Sequence, residues 1–302
     1  MREGDPAFIG MATIVGFAPR QQCLPMGWHA RLQLHYRRDG ERCVATERHE
    51  GPLRVLRSLY PQGPGICHHV LVHPPGGIVG GDLLSLEATL QPGSHALITT
   101  PGATRFYRSA GEKAHQQSHA RIAAGARLEW LPLETIAYSG CEAGNQMRFE
   151  LAPGAEMIGW DVLALGLPTS GRAFERGSFQ QHLEVPGCWL ERGLVRADDR
   201  RLLDSPPGFA GKRVLATLWF ACGEAIADAR AESLLAAARA TIDADAVLSA
   251  TAGATQVDPR VVVLRALAGR VEPAMQLLTR VWQAWRDVAW QLPAPPPRVW
   301  RT

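Results

Sequence analysis

The sequence predicts a mainly β protein of stacked strand layers with two α-helices close to its C-terminus. Three observations predict this fold class. Apolar and polar residues alternate from His29 to Arg37, one glycine-turn pattern recurs about every 30 residues, and helical periodicity begins only near Asp228. The chain has 302 residues, of which 46% are apolar and 20% charged, so a packed core is expected.

The first predicted strands lie on either side of a glycine-rich corner. HARLQLHYR, from His29, alternates as a half-buried strand does, and CHHVLVH, from Cys67, is a second strand that ends at Pro74. HPPGGIVGGD (His73–Asp82) resembles a phosphate-binding loop at first sight. However, no lysine follows its glycines, and the next segment alternates as a strand. We therefore predict a corner between strands, with Asp82 capping the turn or presenting a carboxylate.

The segments LQPGSHALI, IAAGARLEW and LAPGAEMIG share an aliphatic residue, two spacers, a glycine and a following apolar run. Their glycines are Gly93, Gly125 and Gly154. Glycine supplies the positive φ that a tight turn needs, and strands enter and leave each turn. The repeat predicts stacked β layers, solenoid-like or sandwich-like.

The C-terminal third is expected to fold as β-α-β-β-α. DARAESLLAAARATI predicts a helix with Asp228 as its N-cap, and a second helix is expected to begin near Pro273. AVLSATA and RVVVLRALA are predicted strands between them, and the proline-rich tail is expected to be extended. We divide the chain into an N-terminal extension (1–26), a β body (27–211) and a C-terminal α/β portion (212–302).

Bulk composition excludes several classes of protein. The net charge of +3 is small and the basic residues are scattered, which argues against a dedicated nucleic-acid binder. The apolar runs are shorter than the roughly 20 residues that span a bilayer. Residues 1–26 carry acidic groups and lack a clean apolar core, so we expect no signal peptide and a cytoplasmic protein. Six cysteines without a C-x-x-C pair are expected to be reduced.

Six stretches, taken together, resemble the urease accessory protein D family, also called H. They follow one another in order from residue 27 to the end of the chain: GWHARLQL, HPPGGIVGGD, LITTPGATRFYRS, LEWLPLETI, WDVLALG and PRVWRT. The resemblance implies a mostly β, helix-like stack with two helices. It also implies a non-catalytic chaperone for nickel insertion that binds the urease apoprotein and accessory protein F, which recruits the GTPase accessory protein G.

The resemblance further implies an internal tunnel that passes Ni(II) as transient cargo, with no tightly bound cofactor. Such a tunnel needs oxygen atoms that are weak ligands, because three imidazoles would trap nickel. Buried acidic groups close to one path would favour a water-filled channel. The candidates in the matching motifs are the carboxylates and hydroxyls of Asp82, Glu129, Glu134, Asp161, Ser85, Thr99, Thr100 and Thr104.

The chain departs from the family pattern at three places. Leu167 stands where the family usually has Arg, Arg172 where it usually has Glu, and Leu133 where it usually has Gln. The first two departures suggest a lost or rearranged ion pair. Arg172 would repel a passing cation, and Glu175 is close enough in sequence to compensate.

Two other classes of function stay open at this point. A metal-dependent hydrolase on a β scaffold would use Cys67 and His69; a strand cannot bring His73 to the same ion, and His68 lies on the opposite face. A carbohydrate-binding module would use Trp130, Trp160 and Trp189. His115 and His119 lie on a predicted strand, where a metal site is disfavoured. Trp282 and Trp285 are expected either to pack in the core or to form a docking face for protein F.

Overall fold

Two β-sheets and a layer of helices are stacked in the computed structural model of the chain, which describes residues 27–301. The N-terminal extension expected over residues 1–26 lies outside the described residues. The strands are β1 His29–Asp39, β2 Arg42–Glu50, β3 Arg54–Val55, β4 Cys67–Val72, β5 Leu83–Leu90, β6 His95–Thr99, β7 Thr104–Phe106, β8 Ala114–Ile122, β9 Arg127–Leu131, β10 Thr135–Ala137, β11 Cys141–Leu151, β12 Glu156–Leu165, β13 Gly177–Val185, β14 Trp189–Arg196, β15 Val214–Cys222, β16 Ala252–Asp258 and β17 Val261–Ala268.

The first sheet has seven strands in the order β14-β13-β11-β8-β5-β1-β2, and its central strands are parallel. The second sheet has ten strands, with a main path β16-β17-β15-β12-β9-β6-β4-β3 to which β10 and β7 are attached. The strands β15 to β17 come from the C-terminal portion of the chain and extend the second sheet without a break. The C-terminal third therefore completes the sheet that the β body begins.

The predicted glycine turns stack on one another and confirm the mainly β, solenoid-like fold. Each turn carries the chain from a strand of the first sheet to a strand of the second: β5 to β6, β8 to β9 and β11 to β12. Gly93, Gly125 and Gly154 all have φ between 68° and 75°. The amide of Gly125 donates to the carbonyl of Gly154 at 3.0 Å. The turns therefore set the register of the parallel strands.

The second sheet is buried on both faces, which creates two separate cores. Along β12, Met157, Leu163 and Leu165 face the first sheet, whereas Trp160 and Val162 face the helices. We call the space between the two sheets the inner layer and the space beneath the helices the outer layer. A residue's position along a strand of this sheet decides which layer it enters.

Three α-helices are present among the described residues: α1 Arg200–Asp204, α2 Asp228–Asp243 and α3 Val271–Trp290. The two late helices confirm the prediction, while the five-residue α1 was not predicted. No helix within residues 27–301 is long and apolar enough to cross a membrane.

Three local predictions for the C-terminal third are wrong. The N-cap of α2 is Ala227, without a side-chain cap, and Asp228 is the first helical residue. AVLSATA forms turns up to residue 251, so the strand β16 begins only at Ala252. The proline-rich tail ends in a 3₁₀ turn, Arg298–Arg301, rather than in extended chain.

A buried polar cluster joins α3 to the second sheet in the outer layer. Glu129 has no exposed surface and accepts hydrogen bonds from Trp282 Nε1 at 2.7 Å and from His95 Nε2 at 2.8 Å. Arg286 Nε lies 3.4 Å from the same carboxylate. Burial acts to raise the pKa of Glu129, but the hydrogen bond and charge of His95 and the charge of Arg286 hold it below its ordinary value. The cluster keeps Glu129 ionised.

Removing the Glu129 carboxylate should destabilise the fold strongly. We expect Glu129→Leu to lower the free energy of unfolding by about 3–5 kcal/mol, because Arg286 would remain as a buried, unpaired charge. Urea denaturation measures this change. The control Glu150→Gln removes a partly exposed carboxylate that pairs with Arg148, and should cost less than about 1 kcal/mol. Equal losses in the two variants would contradict the role given to this cluster.

Candidate functional site

Three side-chain amides lie side by side on the inner face of the first sheet. Gln116 on β8 pairs in register with Asn145 on β11, and Asn145 pairs with Gln181 on β13. Neighbouring strands are about 4.8 Å apart, so the three amides form a ladder across the sheet. Gln116 Nε2 donates to Asn145 Oδ1 at 3.4 Å.

Asp161 extends from β12 of the opposite sheet to meet this ladder. Its Oδ1 accepts from Asn145 Nδ2 at 3.5 Å, and its Oδ2 accepts from Gln181 Nε2. We call Gln116, Asn145, Asp161 and Gln181 the polar file. Asp161 is 4% exposed and forms no ion pair with any residue in 27–301.

The unpaired carboxylate of Asp161 is costly to ionise. Burial raises its pKa to about 7, the hydrogen bond from Gln181 opposes this rise, and the nearby charge of Glu191 adds to it. Near neutral pH the group is therefore divided between its neutral and charged forms. A carboxylate in this condition attracts a cation or a proton.

Polar residues continue from the file to the edge of the sheets. Thr217 on β15 lies opposite Asp161 in register, and Arg265 on β17 lies opposite Thr217. Arg265 Nη2 forms an ion pair with Glu191 Oε2 at 2.5 Å, and the arginine side chain is half exposed. We call Glu191 and Arg265 the edge pair. Polar residues at one register position of neighbouring strands therefore extend from the interior to the surface.

A cavity of about 250 Å³ lies in the inner layer and includes Asp161 in its wall. It opens between the corner at His73–Gly77 and the exposed loop at Pro101–Arg105. Its polar wall also includes Gln116, Asn145, Ser118, Thr104 and Thr135. We call this space the inner cavity.

The indole nitrogen of Trp130, which lines the inner cavity, is buried and has no hydrogen-bond partner within residues 27–301. The same holds for His73 Nε2 at the mouth. Buried polar atoms are normally hydrogen-bonded, so these two atoms call for a water or another polar guest. The inner cavity is polar and roomy enough to hold several water molecules.

Three of the residues predicted to line a path lie on the inner cavity: Asp161, Thr100 and Thr104. Asp161 forms its deep wall. Thr100 Oγ1 also accepts from the amide of Leu133 at 2.9 Å, which fixes the loop beside the mouth.

Asp82 and Ser85 lie outside the inner cavity. Asp82 is buried at the His73–Asp82 corner, where its carboxylate accepts from the amides of Trp28 at 2.8 Å and Val79 at 2.9 Å. It caps the turn, one of the two roles expected for it. Ser85 alternates out of phase with the buried Leu84 and Leu86 and lies on the outward side of the first sheet.

The other candidates lie apart from the file. Glu129 and Thr99 face the outer layer, where Thr99 Oγ1 accepts from Trp300 Nε1 at 2.7 Å. Glu134 borders a groove beside α3, and Glu175 is exposed. The sequence placed these groups in one set, but the structure separates them into two layers and the surface.

Two of the three departures from the family pattern, Leu167 and Arg172, lie together at one surface turn, whereas Leu133 borders the groove beside α3. Leu167 and Arg172 form an isolated antiparallel bridge, and the Arg172 amide donates to the Leu167 carbonyl at 3.2 Å. Both Arg172 and Glu175 are exposed, and neither forms an ion pair within the described part of the chain. Arg172 does not line the inner cavity.

The residues of the hydrolase alternative are engaged in other contacts. His69 Nδ1 bonds with Tyr36 Oη at 2.7 Å, and Nε2 bonds with Ser58 Oγ at 2.9 Å. Burial lowers the pKa of His69 to about 4, so the ring is neutral. Within residues 27–301, no three His, Cys, Asp or Glu side chains are grouped so that they could hold a metal ion. His115 and His119 lie on the strand β8, as predicted.

The tryptophans singled out by sequence are buried. Trp130, Trp160 and Trp189 are each less than 10% exposed, so they form no open platform for a sugar. Trp282 and Trp285 have no exposed surface. Their indole nitrogens donate to Glu129 Oε2 and the Leu234 carbonyl, so neither ring presents a docking face in this structure.

Sequence reasoning missed Gln116, Asn145 and Gln181. A signal was present in the alternation of each strand. Each amide lies two residues from a buried apolar residue (Ala114, Met147 or Leu183), so it is on the buried face of its strand. Three such interruptions in successive turns of the stack indicate an interior polar feature.

Comparison with known proteins shows which family the chain belongs to. The profile of the family described as UreD urease accessory protein matches residues 29–301. The chain belongs to this family. The resemblance drawn from the six motifs is therefore confirmed.

Three relatives named urease accessory protein UreD illustrate the similarity. The protein of Leptothrix cholodnii is 62% identical over 279 residues, covering 92% of this chain and 100% of the relative. That of Variovorax paradoxus is 61% identical over 277 residues, again 92% of this chain and 100% of the relative. That of Methylibium petroleiphilum is 55% identical over 296 residues, with the same coverage.

Neutralising Asp161 should stabilise the protein above neutral pH. Its pKa is about 7 in the fold against 3.8 in the unfolded chain, so the contribution of Asp161 to stability falls as the pH rises from about 4 to about 7. One pKa unit corresponds to about 1.4 kcal/mol, so Asp161→Asn should gain about 2–4 kcal/mol over wild type at pH 8 and little at pH 4. Urea denaturation at both pH values measures the difference.

The control for this experiment is Glu41→Gln, which changes an exposed carboxylate in the β1–β2 turn. It should leave the pH dependence of wild type unchanged. A difference between Asp161→Asn and wild type that stays constant from pH 4 to pH 8 would contradict the assignment.

Proposed function

We propose that this protein acts in urease maturation as a non-catalytic chaperone that bridges the urease apoprotein and an accessory GTPase complex and passes Ni(II) through its interior. The observation that carries the proposal is the inner cavity, with one unpaired buried carboxylate in its wall. Family membership supplies the biological setting, because the relatives are named urease accessory proteins.

The partners we propose are the urease apoprotein, accessory protein F and, through F, the GTPase accessory protein G. The chain has no phosphate-binding loop, since the His73–Asp82 segment is a corner between β4 and β5. Hydrolysis of GTP would therefore be supplied by a partner. We propose that the protein itself has no catalytic role and works in a cytoplasmic complex.

The passage we propose begins at the mouth beside His73 and reaches Asp161 through Thr104, Ser118 and Asn145. Beyond Asp161, Thr217 and the edge pair continue the polar level to the surface. The edge pair is formally neutral, so it does not by itself repel a cation. The oxygen atoms in the otherwise largely apolar wall suit an ion that has to leave again, because a closed set of imidazole or thiolate ligands is missing within residues 27–301.

Removal of the Asp161 charge should impair nickel loading of urease without dissociating the complex with the partner proteins. With Asp161→Asn we expect at least a tenfold fall in the rate of urease activation by Ni(II), because a cation in a low-dielectric cavity loses its only carboxylate. Activation and the nickel content of urease are measured after co-expression, together with co-purification of the partners. Glu41→Gln should match wild type.

The two parts of the proposal fail separately. If Asp161→Asn loads nickel at the wild-type rate, the passage is wrong while the bridging role stands. If the wild-type protein co-purifies with neither apo-urease nor accessory protein F, the bridging role is wrong.

A further inference from the structure

We infer that the cation crosses the inner cavity as a fully hydrated ion, recognised through its bound waters by the polar file. This inference rests on the proposed passage and specifies the form in which the cargo travels. Three features support it: the polar groups in the cavity wall, the volume of the cavity and the direction of the hydrogen bonds in the file.

The donor set is too weak to replace a hydration shell. Apart from the single carboxylate of Asp161, the polar wall offers amides, hydroxyls, one imidazole at the mouth, His73, and the exposed guanidinium of Arg105, which cannot serve as a metal ligand. Ni(II) sites in proteins favour imidazole and thiolate ligands, and no group of three such residues or acids is present in the described part of the chain. Stripping water from the ion would leave it without equivalent ligands.

The volume suits a hydrated ion. A water molecule occupies about 30 Å³ in the liquid, so six waters around a small cation need roughly 200 Å³. The inner cavity has about 250 Å³. It therefore accommodates one such ion.

The hydrogen bonds of the file leave acceptors for the bound waters. Gln116, which lines the inner cavity, uses Nε2 as a donor within the file, and its Oε1 accepts no hydrogen bond from residues 27–301. Waters on a cation point their hydrogens outward, so they need acceptors of this kind. The carboxylate of Asp161 is the strongest acceptor and adds the charge.

The second observation that indicates a guest is the orphaned indole nitrogen of Trp130. The side chain is 3% exposed and lines the same cavity. Its donor suits a water that itself accepts, outside the first shell of the ion.

Hexaamminecobalt(III) tests this inference, because it has the size of a hydrated cation and does not exchange its ligands. Isothermal titration of the purified protein, kept with its partner if it requires one to stay in solution, should show one saturable site that Ni(II) competes for. We expect Gln116→Leu and Asn145→Leu, which both change side chains in the cavity wall, each to weaken binding about tenfold, the loss of one hydrogen bond to a charged group. Glu41→Gln should bind as wild type does.

Because leucine in the file could disturb folding, Gln116→Ser and Asn145→Ser serve as second variants, with circular dichroism to verify the fold. If hexaamminecobalt(III) does not bind while Asp161→Asn still abolishes nickel loading, the hydrated-ion inference is wrong and the passage stands. If it binds equally to wild type and all file variants, it occupies another surface, and the inference is also overturned. If Asp161→Asn loads nickel normally, the passage itself fails.

Discussion

The burial of one carboxylate without a cation is the constraint on which the functional part of this structure depends. Asp161 is held between two sheets by two amide donors, Asn145 and Gln181, which are too few to compensate a charge removed from water. An ionised carboxylate in this position lowers the stability of the fold, so its presence has to be explained. The neighbouring cavity, with its unpartnered indole nitrogen, is the reason why we propose that water or a hydrated ion supplies the missing contacts.

The two buried acids of the second sheet show how their surroundings separate structural from functional roles. Glu129 faces the outer layer, where His95, Trp282 and Arg286 satisfy it, and its pKa is held low. Asp161 faces the inner layer, has no cationic partner within residues 27–301, and its pKa is raised. The first group fastens a helix to the sheet. The second is available to a guest.

The glycine turns explain why the file exists at all. Stacked turns at Gly93, Gly125 and Gly154 hold the parallel strands in register, so that equivalent positions in successive turns lie side by side. Gln116 and Asn145 belong to strands that enter two of these turns. A shift of one residue would move an amide to the outside of the sheet.

Local pattern was sufficient to predict the stack, because alternation and turn glycines act over a few residues. It was insufficient for the site. Both faces of the second sheet are buried, so apolar content along β12 does not tell which face meets which layer, and Glu129 and Asp161 were grouped together.

The amide ladder depends on register between strands about 30 residues apart. Asp228 was misjudged as an N-cap because capping depends on backbone geometry, which Ala227 provides.

A crystal structure with ordered solvent tests the central claim most directly. The account predicts water molecules in the inner cavity, with hydrogen bonds to Asp161, to Trp130 Nε1 and to the amide oxygen of Gln116. An inner layer closed by apolar side chains, or a direct ion pair between Asp161 and Arg265, would contradict it.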